Sequence, residues 1–287
     1  MERFDAATDH HLLLQDFRCA HPPISRVING VTWSYLAAGA GVRCVVLLPG
    51  ALGVAETAFH YMLAFAEHYR VLSLDYPPAC RQLDQLLAGL AALLDAEGVD
   101  QVQLVGGSYS GPVAHHFAQR YPARVASLVF ANTGLPRRRR VYLFALLMAV
   151  VRVVPPPLLL ALMRWSIQRF LGATTGLERF WRDYFYALLP QLTREWLWHR
   201  CALFGKLAWH GAGVTRWRGP TLIVEAAGDN LFDEPERRAL GAAYPQANRL
   251  TIDATGHSSA LNALAHHITA YGEFWHSVQS NQAPHGH

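Results

Sequence analysis

A serine hydroxyl attacks a carbonyl well only when a base accepts its proton, and the base works only when a third group fixes its orientation. The sequence offers residues at positions where that division of labour can be built. Ser108 stands in Val102-Gln103-Leu104-Val105-Gly106-Gly107-Ser108-Tyr109-Ser110-Gly111, where an apolar run ends in two glycines and a helical run follows. This reads as strand, sharp turn and helix, with the serine at the apex and its hydroxyl over the end of a sheet. Its neighbours must be small because the strand and helix backbones nearly touch. The spacing G-x-S-x-G is met except that Ser110 takes the last place and Gly111 follows it; serine is still small enough. Asp229, in Ala227-Gly228-Asp229-Asn230, and His257, in Ala254-Thr255-Gly256-His257-Ser258, each come just after an apolar strand. The order is therefore Ser, Asp, His. Asp229 has rivals in Asp233 and Glu225; Asp233 also suits the N-cap of a helix starting at Pro235, and Glu225 inside an apolar strand is unexplained.

Other chemistries fit less well. His115-His116 and His266-His267 are adjacent pairs on helices, where neighbouring side chains point to different sides and chelate poorly. No H-E-x-x-H spacing exists, and no metal is expected. The glycines before Ser108 are not followed by Gly-Lys-Ser/Thr, as a phosphate loop requires, and the third glycine of a dinucleotide fingerprint is absent. No cofactor is expected.

The elements that must position these residues alternate in type. Ser25 to Ile28 and Val31 to Ala37, joined by Asn29-Gly30, read as a hairpin. Val42 to Leu48 is a continuously apolar strand of a sheet covered on both faces, and it runs into Pro49-Gly50-Ala51-Leu52-Gly53. A helix over 55–67, a strand over 70–74, a helix over 80–97, the strand before Ser108, a helix over 111–121 and a strand over 125–131 follow. After residue 217 come a strand over 221–225, a helix over 235–243, a strand over 249–252 and a helix over 261–278. Residues before Pro23 show only a short apolar patch, Leu12 to Leu14. Strands and helices in this rhythm predict a mostly parallel sheet with helices on both faces.

Between Gly134 and Trp217 the pattern changes to leucine-rich and aromatic helices, broken by Pro155-Pro156-Pro157 and Gly172. The reading is an α/β core over 1–133 and 218–287, with a helical cap inserted over 134–217. Val141 to Val151 is stopped by Arg152 and the prolines, well short of the ~20 residues a spanning helix needs. Cap helices are the favoured reading, and an interfacial helix touching membrane is the lesser one. Arg137-Arg138-Arg139-Arg140 is expected as a solvated, flexible crossover, with an acidic-group or lipid patch as its alternative. The cap aromatics Phe170, Phe180, Trp181, Tyr184, Phe185, Trp196, Trp198 and Trp209 together suggest an apolar channel. Trp181, Phe185 and Trp198 are the substrate-contact candidates, although any single one serves a core role more often.

The 287 residues are 52% hydrophobic with a net charge of +4, nearly all the positive charge being arginine. Nothing in that balance points to nucleic acid. Four scattered cysteines without a C-x-x-C pair suggest reduced thiols. Glu2, Asp5 and Asp9 do not fit an export signal, so the expected location is the cytoplasm.

In this order of features the chain resembles the α/β-hydrolase fold, over most of its length. The features are the hairpin start, the Pro-Gly turn, the serine elbow, the helical insertion, the Gly-Asp loop and the Gly-His loop. The resemblance implies Ser108 as nucleophile, His257 as general base and acid, and Asp229 as its partner. It also implies an oxyanion hole made by the backbone N–H of Tyr109 and of Ala51 or Leu52. Leu74-Asp75-Tyr76-Pro77, the elbow and Tyr244-Pro245 further resemble the maspardin-like branch. In the pattern of that branch the histidine position is not histidine, so His257 favours an active enzyme. The chain departs from many relatives at Pro49-Gly50, where they carry His-Gly. It departs again at Asp75-Tyr76-Pro77-Pro78, where they carry a glycine-rich turn.

The expected function is a serine hydrolase that cleaves an ester or related carbonyl compound with a hydrophobic body through an acyl-enzyme. Carbon–carbon bond hydrolysis needs the same three residues. The alternatives are a non-hydrolytic enzyme of cyclase or lyase type, or a binding protein of maspardin type. A serine at the elbow disfavours dehalogenase and epoxide-hydrolase chemistry, where a carboxylate attacks.

Overall fold

A computed structural model of the chain describes residues 4, 8–172, 174–205, 207, 217–229, 231–253 and 256–282. Eight strands form one sheet: β1 (Ile24–Ile28), β2 (Val31–Ala38), β3 (Cys44–Leu48), β4 (Arg70–Leu74), β5 (Val102–Gly107), β6 (Val125–Ala131), β7 (Thr221–Ala226) and β8 (Asn248–Ile252). Their spatial order is β1-β2-β4-β3-β5-β6-β7-β8. Strands β3 to β8 are parallel, and β2 runs antiparallel to both β1 and β4. The hairpin is as expected: Ile28 pairs with Val31 across Asn29-Gly30, both with positive φ, the backbone of a tight turn that follows the strands' twist.

The order reverses beside β3. From β3 the chain steps outward to β4, then returns to the other side of β3 as β5 and continues outward from there. Loops leaving the carboxyl ends of β3 and β5 therefore part in opposite directions and open a crevice, the usual ligand position in an open parallel sheet. All five residues of β3 are buried, as a central strand covered on both sides requires.

Alternation along the strands divides the core into two layers. Cys44, Val46 and Leu48 face α3 (Leu83–Ala96), α4 (Ser110–Arg120) and α9 (Glu234–Ala243), through Leu86, Leu90, Leu94, Val113, Phe117 and Leu240. Val45 and Leu47 face α1 (His10–Ala20), α2 (Phe59–Phe65) and α11 (Leu264–Gln282), through Phe17, Phe59, Met62, Phe65, Phe274 and Trp275. Each such side chain contributes roughly 1.5–3 kcal/mol by leaving water, so both layers hold the strand ends in place.

Helix α1 is an element that the sequence pattern concealed. Only Leu14 and Phe17 are its buried apolar residues, with Asp9 as N-cap; two anchors in eleven residues make a weak periodic signal. The expected last helix is broken instead at Ala263 into α10 (Ser259–Asn262) and α11. Between β6 and β7 lie α5 (Arg138–Val153), α6 (Pro156–Phe170), α7 (Gly176–Leu188) and α8 (Arg194–Gly205). Thr175 starts α7 with a capping box to Glu178. The arginine run is not a flexible crossover: Arg138 to Arg140 form the first turn of α5, and Arg140 pairs with buried Glu236 of α9. No helix among the described residues is long and apolar enough to cross a membrane.

Candidate active site

Ser108 occupies the turn between β5 and α4 with φ of +50°, a left-handed backbone that few non-glycine residues adopt. The surroundings over-determine it. Ser108 N–H donates to Ala131 O (2.9 Å) and Thr133 Oγ1 donates to Ser108 O (2.7 Å). A Cβ at Gly106 would lie 2.6 Å from Ser110 O, and one at Gly111 would lie 2.3 Å from Thr133 Oγ1, so both glycines are there for close approach. Ser110, the departure from the usual spacing, is fully buried. Its Oγ accepts from Gly107 N–H (3.0 Å) and can donate to Leu48 O (3.0 Å) or Gly107 O (2.9 Å). The extra hydroxyl thus ties the elbow to the end of β3.

Three side chains meet above this turn. Ser108 Oγ lies 2.6 Å from His257 Nε2, across 149 positions of sequence. His257 Nδ1 lies 2.9 Å from Asp229 Oδ2 and 3.1 Å from Oδ1. Asp229 is buried and also accepts from Leu231 N–H at 2.9 Å. With Nδ1–H donated to the carboxylate, Nε2 is left as the acceptor facing the serine, the tautomer a general base requires. The rival acids are occupied elsewhere: Asp233 caps α9 in a capping box with Glu236, and Glu225 pairs with Arg249 at 3.4 Å.

The expected oxyanion donors lie on the two loops that bound the crevice. Gly53 N–H donates to Gly50 O at 2.9 Å, closing a turn whose central residues are Ala51 and Leu52. Tyr109 is the N-cap residue of α4, and a backbone N–H there has no acceptor within the helix.

The substrate-contact candidates lie apart from the histidine. Trp181 is buried in the core layer of α2, against Phe59, His60 and Phe180, and Phe185 stacks on it at 5.6 Å between ring centroids. Trp198 lies beneath Arg152 on α8. Among the described residues, the rings beside His257 are Phe170 (6.4 Å), at the end of α6, and Phe232 (6.1 Å). Ser258 Oγ also donates to Phe170 O at 3.0 Å, so α6 ends against the histidine loop. Trp209 lies outside the described residues. A cavity of about 250 Å³ lies near α7, lined by Arg18, Glu56, Asp75, Tyr184 and Leu188 among others, and by none of the three central side chains.

Comparison with known proteins agrees with this architecture. The alpha/beta hydrolase fold family matches residues 44–264. The chain belongs to that family. Maspardin from Danio rerio is 38% identical over 120 residues, 39% of this chain and 38% of that protein. A 2-hydroxy-6-oxononadienedioate/2-hydroxy-6-oxononatrienedioate hydrolase from Dechloromonas aromatica (strain RCB) is 34% identical over 113 residues, 35% of this chain and 39% of that protein. The matched region is thus about two-fifths of the length of these relatives. The crystal structure of a hydrolase from Pseudomonas aeruginosa PA01 superposes with a TM-score of 0.74 at 20% identity, covering 88% of this chain and 98% of that one, a likeness of fold.

Two residues around the site of this α/β hydrolase carried no sequence signal of their own. Asn132, at the end of β6 with φ of +46°, donates through Nδ2 to His257 O (3.1 Å) and to Ser259 Oγ. Ser259 Oγ in turn meets buried His267 Nε2 at 3.1 Å, so the histidine loop rests on a buried polar network. Arg200 of α8 is buried, with its guanidinium 5.0 Å from the Tyr76 ring centroid and 5.1 Å from that of Trp196. It donates to Tyr76 O, and Tyr109 O–H donates to Arg200 O at 3.3 Å. Arg200 has no carboxylate partner among the described residues, its Nε has no hydrogen-bond partner, and burial pulls its pKa down. An arginine followed by no matching acid in sequence gives no hint that it will be buried.

Proposed function

We propose that this chain is a serine hydrolase that cleaves an ester or related carbonyl compound with a hydrophobic body. The observation that carries the reading is the chain of short contacts Ser108 Oγ–His257 Nε2–His257 Nδ1–Asp229. His257 takes the hydroxyl proton as Ser108 attacks the carbonyl carbon, and the Asp229 carboxylate stabilises the imidazolium that forms. The N–H groups of Tyr109 and of Ala51 or Leu52 receive the negative charge that develops on the carbonyl oxygen. His257 returns the proton to the leaving group. A water, deprotonated by the same imidazole, then releases the acyl group from Ser108. The helices between β6 and β7 serve as a cap, with Phe170 beside the reacting histidine. No cofactor enters these steps.

A second reading is supported by Arg200. A buried guanidinium without an acid beside the Tyr109 and Gly53 loops suits a substrate that brings its own carboxylate. Hydrolysis of a carbon–carbon bond next to a ketone in a keto acid uses the same three side chains. The name of the Dechloromonas relative is that of a hydrolase of such a dioate.

The test is covalent labelling by a fluorophosphonate, comparing wild type with Ser108→Ala and His257→Ala. Labelling of wild type alone is the expected result. A folded wild-type protein that resists the reagent would sink the hydrolase reading in favour of a binding role such as the maspardin likeness suggests. Esters with and without a carboxylate, assayed against Arg200→Gln, then separate the two substrate classes.

A further inference from the structure

The outer faces of α5 and α6 carry apolar side chains to solvent in a way no other part of the described residues does. Of the fourteen exposed large apolar residues among the described ones, nine fall between Tyr142 and Phe170. They are ordered. On α5, Tyr142, Leu146, Ala149 and Val153 are all exposed at spacings of four, three and four, one stripe of a helix. On α6, Leu158, Leu162 and Trp165 are exposed at the same spacings. Tyr142 is 73% exposed and Trp165 61%. Among the described side chains, each helix has a single buried apolar residue, Val151 in one and Leu159 in the other. Monomeric surfaces rarely expose contiguous apolar stripes, and those that do mark an interaction site.

The charge pattern says which partner. No Asp or Glu occurs from residue 101 to residue 177, and in that interval α5 and α6 with the residue before them bring Arg137, Arg138, Arg139, Arg140, Arg152, Arg164 and Arg169. Arg140 is held by Glu236, but no ion pair among the described residues engages Arg138, Arg139, Arg152, Arg164 or Arg169. A face that is apolar, aromatic and cationic with no acid repels a second copy of itself and complements a negatively charged apolar surface. Arginine donors match phosphate oxygens, and Tyr and Trp favour the boundary between headgroup and acyl chain. Helices of 16 and 15 residues are too short to span a bilayer, but they are long enough to lie in its surface.

We propose that α5 and α6 form a docking face for an anionic lipid bilayer, resting on it through the Tyr142-Leu146-Val153 and Leu158-Leu162-Trp165 stripes with the arginines at the phosphates. The same helix ends with Phe170 at the His257 ring, so an amphiphile held at this surface meets the site from that side. The binding claim stands apart from the hydrolase reading, because it concerns where the protein sits and not what Ser108 does.

The test is flotation of the full chain with phosphatidylcholine vesicles, with and without phosphatidylglycerol. Wild type is expected to float with the anionic vesicles, to do so less in high salt, and to stay behind with neutral ones. Leu146→Glu with Trp165→Glu should weaken binding about tenfold or more, and Arg138→Glu with Arg139→Glu about fivefold per arginine. Circular dichroism and fluorophosphonate labelling of Ser108 report whether each variant is still folded. Wild type that fails to float with anionic vesicles at low salt would overturn the proposal whatever the variants do. So would a stable dimer in sedimentation that Leu146→Glu dissociates, since a second copy would then own this face. A wild type that floats with the anionic vesicles but resists the fluorophosphonate would strike the hydrolase reading and leave this one standing.

Discussion

The carboxyl edge of the sheet and the two helices α5 and α6 treat side chains in opposite ways. At the sheet edge the backbone is crowded until even a methyl group does not fit. Gly106 touches Ser110, Gly111 touches Thr133, and Ser110 Oγ and Asn132 Nδ2 are used in fixing loops. On α5 and α6, by contrast, a stripe of apolar side chains on each helix faces solvent. Crowding holds Ser108 at a positive φ and His257 within 2.6 Å of it, the preorganisation that proton transfer needs. Openness leaves apolar and cationic groups available to something outside the molecule. The difference separates a region held in one geometry from a region whose apolar and cationic side chains face solvent.

Substitutions can break that contrast, beginning with the largest effect. Asp229→Asn should leave the fold in place, because the amide still fills the site and can accept from Leu231 N–H. It favours the wrong imidazole tautomer, and steady-state turnover on an ester substrate should fall by about 10³–10⁴-fold. Acid should act next, on the histidines buried in the helices that cover the sheet. Burial pushes His60 and His115 down to about 3 and His267 down to about 4, from an ordinary 6.5. These groups are neutral in the folded chain while the unfolded chain protonates near 6.5. Stability is therefore fully present above that pH and declines as pH falls toward 4, by up to about 1.4 kcal/mol per pH unit for each group. Denaturant midpoints measured from pH 7 to pH 4.5 should fall steadily, and His115→Gln should flatten the slope. A pH-independent midpoint would mean that these rings are not buried as described.

Smaller effects sharpen the comparison further. Gly106→Ala forces a methyl to within 2.6 Å of a backbone oxygen and should cost about 1–3 kcal/mol, read from the denaturant midpoint. Leu146→Ser, on the open stripe of α5, should change stability by less than about 0.5 kcal/mol by the same measurement. If the serine variant proved as damaging as the alanine one, α5 would be part of the core and the contrast would collapse.

Much of the site was legible because its chemistry is written in local patterns. The strand-glycine-serine-helix run announced the elbow, and two loops after apolar strands offered an acid and a base. The parallel sheet was legible from the alternation of element types, down to the limits of β4 and β6. Other features could not be read. Asp229, Asp233 and Glu225 lie within nine positions, and only the placement of α9 and Arg249 gives the last two other partners. Helix α1 was concealed because its two apolar anchors gain meaning only against Phe59 and the sheet. The cap aromatics shared one label in sequence, yet Trp181 joined the core and Phe170 came to the histidine.

By itself, then, the sequence determined which residues could react and which segments could be strands or helices. Both follow from interactions among near neighbours, where spacing decides what shares a face. The tertiary structure alone decided which of those faces are covered. It brought Ser108, Asp229 and His257 together across the sheet edge, buried Arg200 with no acid beside it among the described residues, and left the stripes of α5 and α6 facing out. Periodicity names the members of a face, but burial depends on partners far along the chain, and only the folded packing supplies them.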